Sequence, residues 1–328
     1  MRVIEISEPG GPEVLREAER PIPVPDRGEL LIEVRAIGVN RPDIQQRRGL
    51  YPPPPGASDL PGLDVAGIVV DAGEGADRAL LGREVCALTN GGGYAGFVAV
   101  PCQQVIPLPL GFAFEQGAAL PEVLFTAWNN VVWLGRLAEG ETLLVQGGTS
   151  GVGMAAIQIG KQLFGATVIA TASSEEKRAV CRDLGAAAAV DYRADDWTGQ
   201  VRAATGSGID VILDAQAGKT VQAHLDLLAF DGRLVLIASH QAPSCEVDTR
   251  QLVRRRLTLT GSTLRPRSAA YKGRLAAELV EKVWPRLEDG RMRIGICRTF
   301  DFGEIAEAHR VLDANAQIGK VVVRGPAA

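Results

Sequence analysis

Residues 142–153 read TLLVQGGTSGVG and run straight into MAAIQIGKQLFG, so a strand, a glycine-rich turn and a helix follow one another without a break. Glycines let the chain turn where a Cβ would forbid it, and they let a pyrophosphate approach the main chain. The helix that follows turns its free N–H groups and the positive end of its dipole toward the phosphates. Gly148, Ser150, Gly151, Val152 and Gly153 are the expected cradle. The spacing G-x-x-G-x-G departs from the commoner G-x-G-x-x-G, and a glycine cluster alone also serves purely structural strand-to-helix turns. Context gives it meaning. TVIATA, AAAVDY, IDVILDA, RLVLIA and LTLTG follow with helical stretches between them, which predicts an α/β Rossmann domain, a doubly wound parallel sheet covered on both faces.

The end of the second strand decides which nicotinamide cofactor such a cradle would take. An NAD-specific site offers a carboxylate there, about twenty residues past the glycines, to hold the ribose hydroxyls. This chain reads Thr171-Ala172-Ser173-Ser174, then Glu175, Glu176, Lys177 and Arg178. Ser173 and Ser174 can hydrogen-bond a 2′-phosphate, Lys177 can meet it with charge, and Tyr192 at the end of the third strand can close over it. At about 1.5 to 3 kcal/mol for each charge-assisted bond, NADPH is favoured over NADH by roughly tenfold or more. An ordinary solvated first helical turn capped by Ser174 is the competing reading, and the two are compatible because capping and phosphate binding use neighbouring atoms. After the fifth strand, main-chain groups of Ile237, Ser239 and His240 are expected to border the nicotinamide ribose at the carboxyl edge of the sheet. His240 also reads as a proton donor or as a plain loop residue.

The first third is built differently. Short runs RVIEI, ELLIEVRAI, AGIVVDA, EVCAL and GFVAV, separated by Gly and Pro, predict a β-rich domain. The C-terminal stretch returns to that texture through RTFDF, an amphipathic helix at Ile305 to Leu312 and a final strand KVVV, so it is expected to fold back on the first domain. The expected partition is residues 1–120 with 296–328, and residues 121–295 between them. The run Pro52 to Pro55 predicts an ordered polyproline loop. Leu257 to Leu264, rich in β-branched residues, predicts an edge strand left unpaired unless it meets another chain, and homodimerisation through it is the expected solution.

Composition narrows the function classes. A formal net charge of −4 supplies no basic field of the kind that draws a protein to phosphate backbones, so nucleic acid is not an expected partner. Neither a run of about eighteen apolar residues nor a signal-peptide pattern is present, and a soluble cytoplasmic protein with no membrane contact is expected. Cys86, Cys102, Cys181, Cys245 and Cys297 form no C-x-x-C pair and read as buried thiols of a reducing compartment. His224, His240 and His309 are scattered, with no H-E-x-x-H pattern.

Longer matching stretches run almost end to end: EPGGPEVL, GVNRPDIQQRRGLYPPPPGAS, GGGYAGFVAVP, GGTSGVGMAAIQ, RRLTLTGSTLR and IGKVVV. Through them the chain resembles the zeta-crystallin-type quinone oxidoreductases of the medium-chain dehydrogenase/reductase superfamily, and most of all the branch that includes the tumour-suppressor-inducible quinone oxidoreductase. The resemblance implies a GroES-like β-rich catalytic domain with the Rossmann domain inserted in it. It implies a cleft between them where NADPH passes reducing equivalents to a small quinone. Zinc-dependent members of the superfamily present a Cys and a Gly-His-Glu where this sequence has Asn40-Arg41-Pro42-Asp43 and Gly62-Leu63-Asp64, so no bound metal is expected.

The resemblance also places Asn40 and Tyr51 near the nicotinamide, where an amide N–H and a phenol O–H can hydrogen-bond a carbonyl oxygen. Asn40 competes with a role as a turn residue ahead of Pro42, and Tyr51 with a role pinning its loop. Asp43 is a further catalytic candidate, although a short acid near a turn usually organises backbone. Thr126 is a candidate contact to the nicotinamide amide or a packing residue, and Phe125, Trp128 and Trp133 read equally as core or lining. Two alternatives stay open: an NADPH-dependent enoyl or alkenal double-bond reductase, and a non-catalytic NADPH-binding protein.

Overall fold

The computed structural model describes residues 1–326. The chain folds as two compact units: one is Thr126–Leu264, and the other is Met1–Phe125 together with the chain from Arg265 onward.

In the unit Thr126–Leu264, six strands form one parallel sheet in the order Ala188–Val190, Thr167–Thr171, Thr142–Val145, Ile209–Asp214, Leu228–Leu236, Thr258–Gly261. The strand order reverses between Thr142–Val145 and Ile209–Asp214, where Leu143 pairs with Val211 and Val145 with Leu213. Ligands of open α/β sheets bind outside the carboxyl ends of the strands at such a reversal, so the topology itself marks where a dinucleotide belongs. Leu143, Leu144, Val145, Val168 and Ile169 have no solvent exposure. That follows from cover on both faces, which removes the alternation a half-exposed strand would show. Leu144, Ile169, Ile212 and Leu234 pack with Val201, Val221 and Leu225 from the covering helices. Ahead of the sheet, Pro121–Ala127 runs into a π-helical segment, Trp128–Leu134, that residue periodicity does not foretell. Phe125 and Trp128 belong to the core, whereas Trp133 is half-buried.

In the other unit, Glu29–Val39 is the central strand. The sheet runs Ile296–Phe300, Lys320–Arg324, Glu29–Val39, Asp64–Ala72, Glu84–Leu88, Val105–Pro107, and Phe97–Pro101 also pairs with Glu29–Val39. The final strand KVVV thus joins the middle of a sheet begun near the N-terminus, pairing antiparallel from Val321–Val39 to Arg324–Ala36. Its apolar face meets Ile32, Ile37, Val65 and Tyr94 together with Ile305 and Leu312 of the helix Ile305–Asp313.

The compact units differ from the expected partition in two stretches, residues 121–125 and residues 265–295. Residues 265–295 pack with this second unit: Trp284 Nε1 donates to Pro107 O at 2.9 Å, and Leu110 N–H donates to the Glu288 carboxylate at 3.0 Å. Helical periodicity announces the helices Ala269–Lys282 and Trp284–Glu288 but not which sheet they cover. The expectation for the thiols is corrected too. Cys86 and Cys181 are buried, but Cys245 and Cys297 are exposed.

Candidate functional site

The glycine-rich turn holds its shape through a positive φ, close packing and hydrogen bonds. Gly147, which the motif spacing left out, takes φ +79° and makes the tight turn. Its N–H donates to Thr171 Oγ1 at 3.1 Å, and Thr171 donates in turn to Gln146 Oε1 at 2.8 Å. Gly148 is needed for packing, because a Cβ there would lie 2.6 Å from Cys181 Sγ and 2.9 Å from Ala170 Cβ. Gly153 lets the helix Gly151–Phe164 start against the turn, since its Cβ would fall 2.4 Å from Gly147 O. Ser150 caps that helix by accepting from Gly153 N–H at 3.0 Å and donates its own hydroxyl to Gly147 O at 2.8 Å. Gly151 and Val152, half-buried in the first turn, leave the helix N-terminus open to an anion.

At the end of Thr167–Thr171 the chain shows no carboxylate where an NAD site would carry one. Ser174 caps the helix Glu175–Asp183, accepting from Lys177 N–H at 3.2 Å, and its hydroxyl hydrogen remains available to a phosphate. The guanidinium of Arg178 is taken up by Glu175 at 3.0 Å and by Asp191 at 3.0 Å. Arg193 donates to the main-chain oxygen of Ser173 and pairs with Asp191 at 3.1 Å, which leaves its side chain 60% exposed beside the two serines. Sequence reasoning named Tyr192 and passed over its neighbour. The signal was a basic residue just past the third strand, which only the sheet order brings to Ser173. Asp191 is held below the usual carboxylate range, first by the Arg193 N–H and then by the arginines around it.

Ile237 and Ser239 line a cavity of about 410 Å³ together with Gly218, Leu236, Cys245 and Ser262. Ile237 N–H donates to Asp214 O at 2.8 Å, which carries the strand ends of Ile209–Asp214 and Leu228–Leu236 into that cavity as one edge. Ser239 spends its hydroxyl on Ala242 O at 2.5 Å. His240 is exposed. Thr126 lies on Pro121–Ala127 and accepts from Asn130 Nδ2 through its carbonyl at 2.7 Å.

In the β-rich unit, Asn40 and Asp43 open the short helix Arg41–Arg47, and neither side chain is idle. Asp43 accepts from Asn40 N–H at 2.8 Å and from Gly62 N–H at 3.1 Å. Gly62 sits at φ +101° with no room for a Cβ, 2.5 Å from Tyr94 N. The Asn40 amide donates to Asp64 Oδ2 at 2.9 Å and to Gly38 O at 3.3 Å, and its oxygen accepts from Lys320. Asn40 is 4% exposed and Asp43 1%. Both therefore hold the loop in place, and the Asn40 amide has no bond left over for a substrate carbonyl. The Tyr51 ring, half-buried, lies under the Arg265 guanidinium at 5.3 Å.

Comparison with known proteins adds the lineage. Residues 26–110 match the family described as Alcohol dehydrogenase GroES-like domain, and residues 151–281 match the one described as Zinc-binding dehydrogenase. A quinone oxidoreductase of Lama guanicoe is 33% identical over 327 residues, covering 98% of this chain and 97% of that protein. The solved quinone oxidoreductase of Thermus thermophilus, described in its own form and in complex with NADPH, is 34% identical with a TM-score of 0.83, covering 99% of this chain and all of that one. The chain belongs to the quinone oxidoreductase family. The JamJ enoyl reductase, at 26% identity and a TM-score of 0.87 over 99% of both chains, shows that a double-bond reductase shares the fold.

For a quinone oxidoreductase whose second segment matches a family named for zinc, the donor set has to be tested against the metal. Where zinc-dependent members carry a Cys and a Gly-His-Glu, this chain has Asn40 and Gly62-Leu63-Asp64, and Asn40 and Asp64 hold the ammonium of Lys320, 2.8 Å from Asp64 Oδ2, with all three side chains buried. A divalent cation would have to displace a buried monovalent one that is part of the chain. The thiol nearest in charge, Cys86, is pushed up by burial and then by Asp64, so it stays protonated and is no ligand. The residues do not fit zinc.

Proposed function

We propose that the chain reduces small quinones with NADPH and does so without a metal. The observation that carries this reading is the pairing of a complete phosphate cradle, Gly147 to Gly153, with a second-strand end that offers Ser173, Ser174, Lys177 and Arg193 and no carboxylate. The cradle fits the pyrophosphate, and the serine and basic cluster fits a 2′-phosphate. Ile237 and Ser239 continue the same strand edge toward the nicotinamide half. Bound there, NADPH supplies a hydride.

The protein's own work is placement and electrostatics. A quinone becomes aromatic on reduction, so it needs no general base to drive the reaction. What it does need is a dry surface beside the nicotinamide and help with the negative charge that develops on its oxygen. Tyr51 offers an aromatic face, which suits a flat quinone ring. Asn40 and Asp43 fix the start of the helix Arg41–Arg47 that carries the chain into Tyr51. The Lys320–Asp64 pair fills the place a metal would take, so a Lewis acid has no part in the reading.

The Thr258–Gly261 strand ends its sheet with one side unpaired and Leu259 37% exposed, which supports a homodimer built by pairing this edge with its copy. Among the described residues no helix is long and apolar enough to cross a membrane, and five free cysteines, two of them exposed, suit the reducing cytoplasm.

The test is the initial rate of NADPH oxidation with ortho- and para-quinones, with an α,β-unsaturated ketone alongside. Turnover of quinones supports the proposal; turnover of the enone alone moves the chain to the double-bond reductases that share its fold.

A further inference from the structure

Five cationic side chains of the described residues are buried, and three of them have a carboxylate at hand: Arg47 with Asp313 at 2.8 Å, Arg233 with Glu141 at 2.6 Å, and Lys320 with Asp64 at 2.8 Å. Arg265 and Lys272 have none. Arg265, 6% exposed, donates through Nε to Asn90 O at 2.9 Å and lies over the Tyr51 ring, but its second terminal nitrogen is buried with no hydrogen-bond partner. Lys272, with no exposure at all, donates to the Asn90 side-chain oxygen and to Arg265 O at 2.8 Å. Asn90 thus holds one cation with its main chain and the other with its side chain.

Two buried positive charges without an acid are costly, since an unpaired ion in a protein interior loses several kcal/mol of hydration that only an anion or dense hydrogen bonding can return. Burial holds both groups below their ordinary values, Lys272 to about 8. The acid whose charge reaches Arg265 most strongly is Asp43, already occupied by two backbone N–H groups. The chain itself therefore supplies no negative charge to either cation, and the unpartnered Arg265 nitrogen lies in the side chain stacked on Tyr51.

We propose that Arg265, backed by Lys272, is an anion-binding group that takes the negative charge of a quinone-derived phenolate oxygen. The inference rests on the quinone-reductase reading. The quinone gains a hydride, which carries two electrons and one hydrogen, and the nicotinamide is oxidised by the same two electrons. The hydrogen forms its bond to one quinone oxygen, the ring becomes aromatic, the π pair of the other C=O bond settles on that second oxygen as a phenolate, and a proton from water then completes the hydroquinone and leaves hydroxide. Arg265 is charged at every working pH and donates in a fixed fork, so it stabilises that phenolate without itself losing a proton. The Tyr51 ring holds the guanidinium from its face, Nη1 donates to Tyr51 O at 3.5 Å, and Nη2 is the nitrogen left for the oxygen.

The probe is para-nitrophenol, whose phenolate absorbs visible light and which accepts no hydride. It is titrated from acid to alkali on the full-length protein saturated with NADP⁺. A positive charge at the oxygen lowers the pKa of the bound phenol by about one unit or more, and Arg265→Gln abolishes that shift while Arg265→Lys keeps part of it. Removing one such donor should lower kcat for quinones about a hundredfold and leave NADPH affinity unchanged. Arg265→Lys should recover part of the rate, and Lys272→Met should show a smaller loss. An unshifted phenol on the unaltered protein overturns the inference, as does a folded Arg265→Gln protein with the same phenol pKa and the same kcat. If Arg265→Gln does not fold, Arg265→Lys and Lys272→Met carry the comparison. The phenol titration stands whether or not the protein reduces quinones, so a depressed phenol pKa without quinone turnover would count against the quinone reading alone.

Discussion

Lys320 and Asp64 form a buried ion pair, Nζ to Oδ2 at 2.8 Å, that joins the last strand of the chain to the first residue of the strand Asp64–Ala72. Asp64 also accepts from Asn40 Nδ2 and from Glu122 N–H at 2.5 Å, so removing the lysine leaves a carboxylate still bonded but carrying an uncompensated buried charge. Lys320→Met should cost about 3 kcal/mol or more of stability, seen as a lower denaturant midpoint at unchanged slope. A cost near zero would mean that the hydrogen bonds alone hold Asp64.

The glycine turn makes a second prediction. A methyl group on Gly153 has 2.4 Å to Gly147 O, a backbone atom that cannot swing aside. Gly153→Ala should therefore push the helix start away from the turn, destabilise the protein by about 2 kcal/mol and weaken the affinity for both NADPH and NADH. Fluorescence titration with each cofactor checks it.

Cofactor choice is separable from cofactor binding. Lys177→Ala and Arg193→Ala should each weaken NADPH by roughly tenfold and NADH hardly at all, because only NADPH carries the 2′-phosphate. Equal weakening of both cofactors by either change would remove that residue from the phosphate pocket.

A buried chain of hydrogen bonds sets the acid response. Arg47 can only donate, so His309 Nδ1 accepts from it at 3.2 Å, and Nε2 carries the hydrogen and donates to Tyr94 Oη at 2.8 Å. Burial, and then the Arg47 charge, lower His309 from 6.5 to about 3, so the folded protein binds fewer protons than the unfolded chain and loses stability as pH falls through that window. Asp43, raised by burial from 3.8 to about 6, acts the other way and favours the folded state as pH falls below 6. The histidine is displaced further, so the net effect of the pair is acid destabilisation. His309→Gln should therefore lose less stability than the unaltered protein between about pH 7 and about pH 4.5, by about 2 kcal/mol in urea unfolding.

Much of this architecture was legible because both sheets are built from runs that cannot be read another way. TLLV, TVIAT and IDVILD are apolar enough to be buried on two faces, and RTFDF and KVVV at the far end share the short-strand texture of the first domain. Ser174 could be read as a helix N-cap because strand, turn and helix follow one another locally. What stayed hidden was non-local. Arg193 reaches Ser173 only through the sheet order, and Gly147 was passed over because the motif counts glycines rather than φ angles. The amide of Asn40 was spent on Asp64 and Lys320, the latter 280 residues away in the chain. Arg265 and Lys272 look like ordinary surface charges until the fold buries them around Asn90. The helices of residues 265–295 were visible as helices, but the face they cover depends on a sheet formed elsewhere.

The most direct test of the account is the initial rate of NADPH oxidation by the purified protein on adding small ortho- and para-quinones, with NADH in parallel and a strong chelator present throughout. Rapid, quinone-dependent oxidation of NADPH is expected, with slower use of NADH and no loss to the chelator. Tight NADPH binding with no turnover of any quinone would contradict it.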